Sequence, residues 1–277
     1  MARYAIEYVK VGFRRDNTPL NMVLLRFLGS SDKSILIIPI NLSFTLPRLW
    51  NFIRKMRLKD TKYNLLFIVP NPDQIPYQID IEDYYTSGDE IWIKLTSKLP
   101  KNSILLTIAS SGNGILYFKY LEIRGTLKDV IKRINAPVVS DRELLEKNPY
   151  KQLKYTVEDA LVIKVPISYT DLTSIMEYTL QMLGAIESES IEMNFSKIGL
   201  KNFDKVCRVY SEKAGFIIYH INPGGKVSKG DVIAHVKWFF GETIGSIKAP
   251  SDGLIVSLKS QKTIIPGELL AEIIISS

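Results

Sequence analysis

The chain has 277 residues, 46% hydrophobic and 23% charged, with a net charge of +7. That composition fits one large or two ordinary globular domains and excludes a disordered or fibrous chain. One cysteine and two histidines exclude a disulfide framework and a multi-cysteine or His-rich metal site, and no apolar run reaches membrane-spanning length. Residues 1–60 hold 11 Lys/Arg against 4 Asp/Glu, so the excess charge belongs to this segment. The start of the chain has no apolar signal core, so the expectation is a soluble, cytoplasmic protein without a membrane partner. Abundant Ile and scarce Gln give it a thermophile-like texture.

Ser34–Ile40 is a wholly apolar, β-branched run and predicts a strand buried on both faces. Thr45 then caps a helix with Pro47 in its first turn, its apolar face being Leu46, Leu49, Trp50, Ile53 and Met56. Tyr63–Val69 and Ser103–Ile108 are further buried strands. Leu127–Ile134 reads as a helix, and Pro137–Val139 and Ala160–Val165 as strands. Thr170 caps a last helix, stopped at Gly184. This alternation predicts an α/β fold, a mostly parallel central sheet with flanking helices on both faces. The boundary is placed in the polar stretch after Glu187, giving domains 1–188 and 189–277.

The second domain reads as all-β. Short apolar runs are punctuated by Pro223-Gly-Gly225, Gly230, Gly253 and Pro266-Gly267. The pieces PGGKVSKGDVIA, IKAPSDGLI and IIPGELLAEI resemble the barrel-sandwich fold of biotinyl and lipoyl carrier domains. The carrier's modified-lysine hairpin is replaced by Val236-Lys-Trp-Phe-Phe-Gly-Glu-Thr243. Lys237 is therefore a poor acceptor for biotin or lipoate.

An α/β domain followed by this module, with IVPNPDQIPY at 68–77, LQMLGAI at 180–186 and the Trp-Phe-Phe-Gly241 insert, resembles the succinylglutamate desuccinylase/aspartoacylase family. The resemblance implies a zinc-carboxypeptidase-like fold and zinc-dependent deacylation of linear amides. It also implies where the chemistry sits. The zinc ligands of the first strand end fall on Asn41 and Phe44. The Asp-x-His positions fall on Thr107 and Ala109, and the catalytic Glu position falls on Lys164. None of these suits zinc or a general base. No histidine precedes His220. The expected reading is a zinc-less pseudoenzyme with no cofactor, binding a small acidic ligand or a protein partner, with oligomerisation left open.

Its ligand pocket would be lined by Asn41, Lys94, Ser110, Ser111, Asn113 and Lys164. A half-buried Lys164 would need an anionic partner, for which Asp73 and Asp80 are candidates. The loop Ser110–Gly114 either cradles an anion with its amides or is simple turn chemistry. Two alternatives remain. One is an active metal-dependent deacylase using Asp73, Glu82, Asp83 and Glu90, where zinc would return. The other is a nucleic-acid- or ribosome-associated protein using a basic helix stripe of Arg48, Lys55 and Lys59, flanked by Arg54 and Arg57 and joined by Arg14 and Arg15. The plainer reading of that stripe, and the favoured one, is a solvated helix face. Cys207, His220 and His235 read as packed or surface residues, against a metal site or a cysteine nucleophile.

Overall fold

The computed structural model describes residues 4–13, 19–39, 42–56, 60–70, 100, 103–122, 125, 127–142, 157–169, 171–187 and 202–275. The larger part is a nine-stranded sheet in the order β1-β2-β4-β3-β5-β9-β7-β8-β10. Its strands are β1 (Tyr4–Phe13), β2 (Pro19–Phe27), β3 (Ser34–Pro39), β4 (Asn64–Pro70), β5 (Ser103–Ser110), β7 (Tyr117–Glu122), β8 (Val138–Ser140), β9 (Val157–Val165) and β10 (Asn202–Phe203); the two-residue β6 (Asn113–Gly114) lies outside it. The sheet is mixed rather than mostly parallel. β4, β3, β5 and β9 run parallel, while a β1–β2 hairpin adds antiparallel strands on one side and β7 enters antiparallel to β9.

Three described helices cover one face of this sheet: α1 (Leu42–Met56), α2 (Lys128–Arg133) and α3 (Leu172–Met182). On α1 the buried stripe is Leu49, Phe52, Ile53 and Met56, and Trp50 points to solvent at 52% exposure. The 3.6-residue period explains this: position 50 lies about 100° from 49, off the buried stripe. The helix starts a turn before Thr45, so Pro47 sits inside it, where it has no N–H to donate to the Ser43 carbonyl. α3 is capped by Asp171, not Thr170; its carboxylate accepts from the Ser174 amide at 3.1 Å. Its end is a Schellman turn: Gly184 N–H donates to Gln181 and Ala185 N–H to Leu180, with Gly184 at φ 73°. Asp171→Ala should lower stability by about 1 kcal/mol, read from a urea midpoint.

The C-terminal part has two four-stranded antiparallel sheets, β11-β18-β16-β13 and β15-β14-β12-β17. The first comprises β11 (Lys205–Tyr210), β13 (Lys226–Val227), β16 (Gly253–Leu258) and β18 (Leu269–Ile275). The second comprises β12 (Gly215–Tyr219), β14 (Val232–Lys237), β15 (Thr243–Lys248) and β17 (Thr263–Ile264). Val209, Ile217, Ile233, Ile255 and Ile273 from both sheets share one apolar core.

The expectation of helices on both faces of the large sheet changes here. Over β7 and β8 the face away from the described helices is covered by the small sandwich. Tyr117 and Val139 pack there against Val206, Leu254, Val256 and Ile274. Strand alternation produces the division: in β11, Cys207 and Val209 face the sandwich core, while Val206 and Arg208 face the large sheet. Among the described residues, no helix is long and apolar enough to cross a membrane.

Candidate functional site

Register places the strand-end residues directly. β5 pairs with β9 so that Ala109 lies opposite Lys164, and β9 pairs with β7 so that Lys164 lies opposite Tyr117. Registered residues share a face, so Ala109, Lys164 and Tyr117 form one row. One row in, Thr107, Val162, Lys119 and Val139 are aligned in the same way. Ile108, Ile163, Phe118 and Val138 point to the opposite face, into the helix-covered core.

Lys164 is half-buried, and its ammonium donates to the Ser110 carbonyl at 3.4 Å. Among the described residues, the anion on which its charge acts is Glu272 of the sandwich; Asp73 and Asp80 lie outside the described residues. Glu272, on β18, accepts from the Tyr117 hydroxyl and from Lys119 Nζ at 2.6 Å. Lys119 also lies 3.3 Å from Asp141, and Arg208 bonds Asp141 and stands 3.7 Å from Glu272. All four charged side chains are at most 7% exposed. Burial pushes the Glu272 carboxyl upward. The charges of Lys119 and Lys164, with hydrogen bonds from Lys119 and Tyr117, outweigh burial and hold it well below the usual carboxylate range. The Tyr117 phenol is pushed far up, by burial first and then by the Glu272 charge, so it remains a donor.

The loop after β5 is tied to its neighbours by its own polar groups. Ser111 N–H donates to Val165, Gly112 N–H to Ser110 Oγ, and Ile115 N–H to the Val256 carbonyl. Ser111 Oγ donates to Ile115, and Ser257 Oγ donates to the Ser111 carbonyl. A Cβ on Gly114 would lie 2.5 Å from the Val256 carbonyl oxygen, and one on Gly112, at φ +63°, would lie 2.8 Å from that of Leu258. The glycines thus let the loop touch the β16 backbone, and the Ser110 and Ser111 groups are used inside that joint. Asn113 is exposed at its tip.

Other candidates fall as follows. Asn41, Lys94 and Lys59 lie outside the described residues, as do Asp73, Asp80, Glu82, Asp83, Glu90, Arg14, Arg15 and Arg57. Phe44 lies in the first turn of α1. Two members of the basic stripe have intramolecular roles. Arg48 donates to the Ile167 carbonyl at 3.1 Å, and Lys55 pairs at 2.8 Å with the buried Glu177 of α3. Arg54 is exposed. His220 and His235 meet on the second sheet with ring centroids 4.5 Å apart, and His235 Nδ1 bonds Ser246 Oγ. Cys207 is on the other sheet, packed against the sandwich core. Among the described residues, no three His, Cys, Asp or Glu side chains gather as a metal-ligand set.

The network of Tyr117, Lys119, Asp141, Arg208 and Glu272 was not singled out from the sequence. Its signal was there: a single charge inside an apolar strand, as in Tyr-Phe-Lys-Tyr-Leu at 117–121 and Leu-Ala-Glu-Ile-Ile at 270–274. A charge in such a place must find a buried partner.

No family model matches the sequence, and no curated protein matches it. Solved structures do. The product-bound ectoine utilization protein EutE (DoeB) of Ruegeria pomeroyi superposes with a TM-score of 0.75 at 15% identity, covering 99% of this chain and 95% of its own. An aspartoacylase family protein of Mesorhizobium loti gives 0.72 at 11% identity, with 99% and 95% covered. The succinylglutamate desuccinylase/aspartoacylase of Rhodobacter sphaeroides gives 0.70 at 10% identity, with 99% and 96% covered. The chain therefore has the fold of these proteins over nearly its full length.

Proposed function

We propose that this chain is a divergent, non-catalytic relative of the succinylglutamate desuccinylase/aspartoacylase deacylases, whose strand-end cleft holds a small acidic ligand or a protein partner. The observation that carries this reading is the Ala109–Lys164 pair, side by side in register where β5 and β9 end. A methyl group and an ammonium replace a zinc ligand and a carboxylate base there. No imidazole occurs anywhere before His220, and both histidines lie on the sandwich. Zinc needs nitrogen, sulfur or carboxylate donors, so these residues do not fit it. A cation at the end of parallel strands favours an anionic ligand instead. The small domain fits the barrel-sandwich likeness, with Trp238 to Glu242 closing the hairpin where a carrier would present its lysine.

The test is metal content and turnover on the same sample. Protein purified without metal and reconstituted with Zn, Mn or Co is expected to retain no stoichiometric ion. It is expected to hydrolyse none of a panel of N-acyl amino acids. A bound equivalent of zinc with turnover would replace this reading with that of a deacylase whose ligands come from carboxylates such as Asp73 and Glu90.

A further inference from the structure

The outer face of the second sandwich sheet, turned away from the nine-stranded sheet, carries side chains that the core does not use. Alternation sends Ile217 of β12 and Val236 of β14 inward. It leaves Phe216 opposite Lys237, and Ile218 opposite His235, on the outside. The β14–β15 turn then holds three consecutive rings in solvent: Trp238, Phe239 and Phe240 are 51%, 75% and 82% exposed. Backbone bonds close that turn without them. Trp238 N–H donates to the Glu242 carbonyl at 2.8 Å, and Gly241 N–H to the Trp238 carbonyl at 3.0 Å. The rings continue from the turn onto the sheet. Phe240 meets Phe239 with centroids 5.4 Å apart, Phe239 meets Phe216 at 6.4 Å, and beside Ile218 lies the His235–His220 pair. Charge on this face is one-sided. None of its four strands contains Asp or Glu, while Lys237 and Lys248 lie on it. At its margins the connecting loops hold Lys213 and Lys262 against Glu212, Asp231 and Glu242, and Asp231 is engaged by Ser228 N–H at 2.8 Å. The margin is thus near balance and the face itself is positive.

We infer that this face binds single-stranded nucleic acid, with bases stacked on the row of rings and phosphates met by Lys237 and Lys248. Exposed rings on neighbouring strands offer stacking faces that any base can use, and a strand of this length serves about two or three bases. A bilayer would engage the hairpin tip alone and leave Phe216 and the two histidines unused. A dry protein interface would bury Lys237 and Lys248 without an anion. A polyanion with planar groups uses the rings and the cations together. The face lies on the far side of the sandwich from the Ala109–Lys164 row, and it stands whether or not the strand-end cleft holds a ligand.

A short fluorescein-labelled oligothymidylate and the matching oligouridylate, titrated with the full chain and followed by anisotropy, are expected to bind. Binding should weaken as salt rises and should exceed that of a duplex of equal length. Phe216→Ala combined with Phe239→Ala, both at exposed positions, should weaken it at least about tenfold with the urea midpoint unchanged. Lys237→Glu should weaken it and flatten its salt dependence. Arg54→Glu on α1 should leave it unchanged. No oligonucleotide binding, or binding that the double variant does not weaken, overturns the inference. Capture of the chain by vesicles of phosphatidylcholine and phosphatidylserine in place of oligonucleotide overturns it too, and assigns the hairpin tip to a bilayer.

Discussion

Lys119→Met is expected to destabilise the protein by about 3–5 kcal/mol, read as a fall in the urea midpoint without a change in slope. Methionine nearly keeps the volume, so the effect isolates the charge. The lysine holds Glu272 at 2.6 Å and Asp141 at 3.3 Å in a place where its own side chain is 3% exposed. Removing it leaves two buried carboxylates sharing Arg208, and an uncompensated buried charge is far more costly than a buried pair is stabilising. The same network sets a pH dependence. The folded carboxyl of Glu272 lies below its ordinary value of 4.5, so on acidification the unfolded chain takes up that proton first. The stabilisation is complete above that value and is lost as pH falls through the depressed one. Glu272→Gln should therefore flatten the decline in stability between about pH 5 and 2. An unaltered decline would show that Glu272 is not held ionised.

Much of the architecture was legible in the sequence because its signals are local. The runs at Ser34, Tyr63, Ser103 and Ala160 are continuous and apolar, and each is a strand of the large sheet. Gly184 ends α3 by a geometry that only a φ > 0 residue makes easy. What sequence reading could not supply was the partner of each strand face. β7 and the β1–β2 hairpin make the sheet mixed, and nothing in Tyr-Phe-Lys-Tyr-Leu announces its direction. The Ser110–Gly114 loop shows the same limit. Its glycines read as an anion cradle or as a turn, and nothing local announces the contact with the β16 backbone that makes it a joint between the two parts. The basic stripe on α1 was legible as charge, but the partners of Arg48 and Lys55 lie more than a hundred residues away. At the proposed site, the residue types Thr107, Ala109 and Lys164 and the lack of any histidine before His220 were readable directly. That the Lys164 charge helps to hold Glu272 ionised, on the last strand of the other part, depends on tertiary packing alone.

Lys164→Glu, which places a carboxylate where the proposed relation to the deacylases puts their catalytic one, is expected to lower stability by about 2 kcal/mol. The lysine's charge is among those that hold Glu272 ionised. Replacing it with a carboxylate turns an attraction into a repulsion toward a group that is almost wholly buried. Lys164 itself is half-buried, so water screens part of the change and keeps the figure below that for Lys119. One of the two carboxylates then takes up a proton more readily, so the variant should lose stability as pH rises toward neutrality. Measuring the same substitution in the Glu272→Gln background separates this cause from packing, because a neutral partner removes the repulsion. The cost there should be smaller by about 1 kcal/mol. An equal cost in both backgrounds would mean that Lys164 and Glu272 do not act on one another. If they do, the Lys164 ammonium belongs to the joint between sheet and sandwich as well as to the proposed ligand site. A single substitution at Lys164 would then strain that joint before it could supply a base.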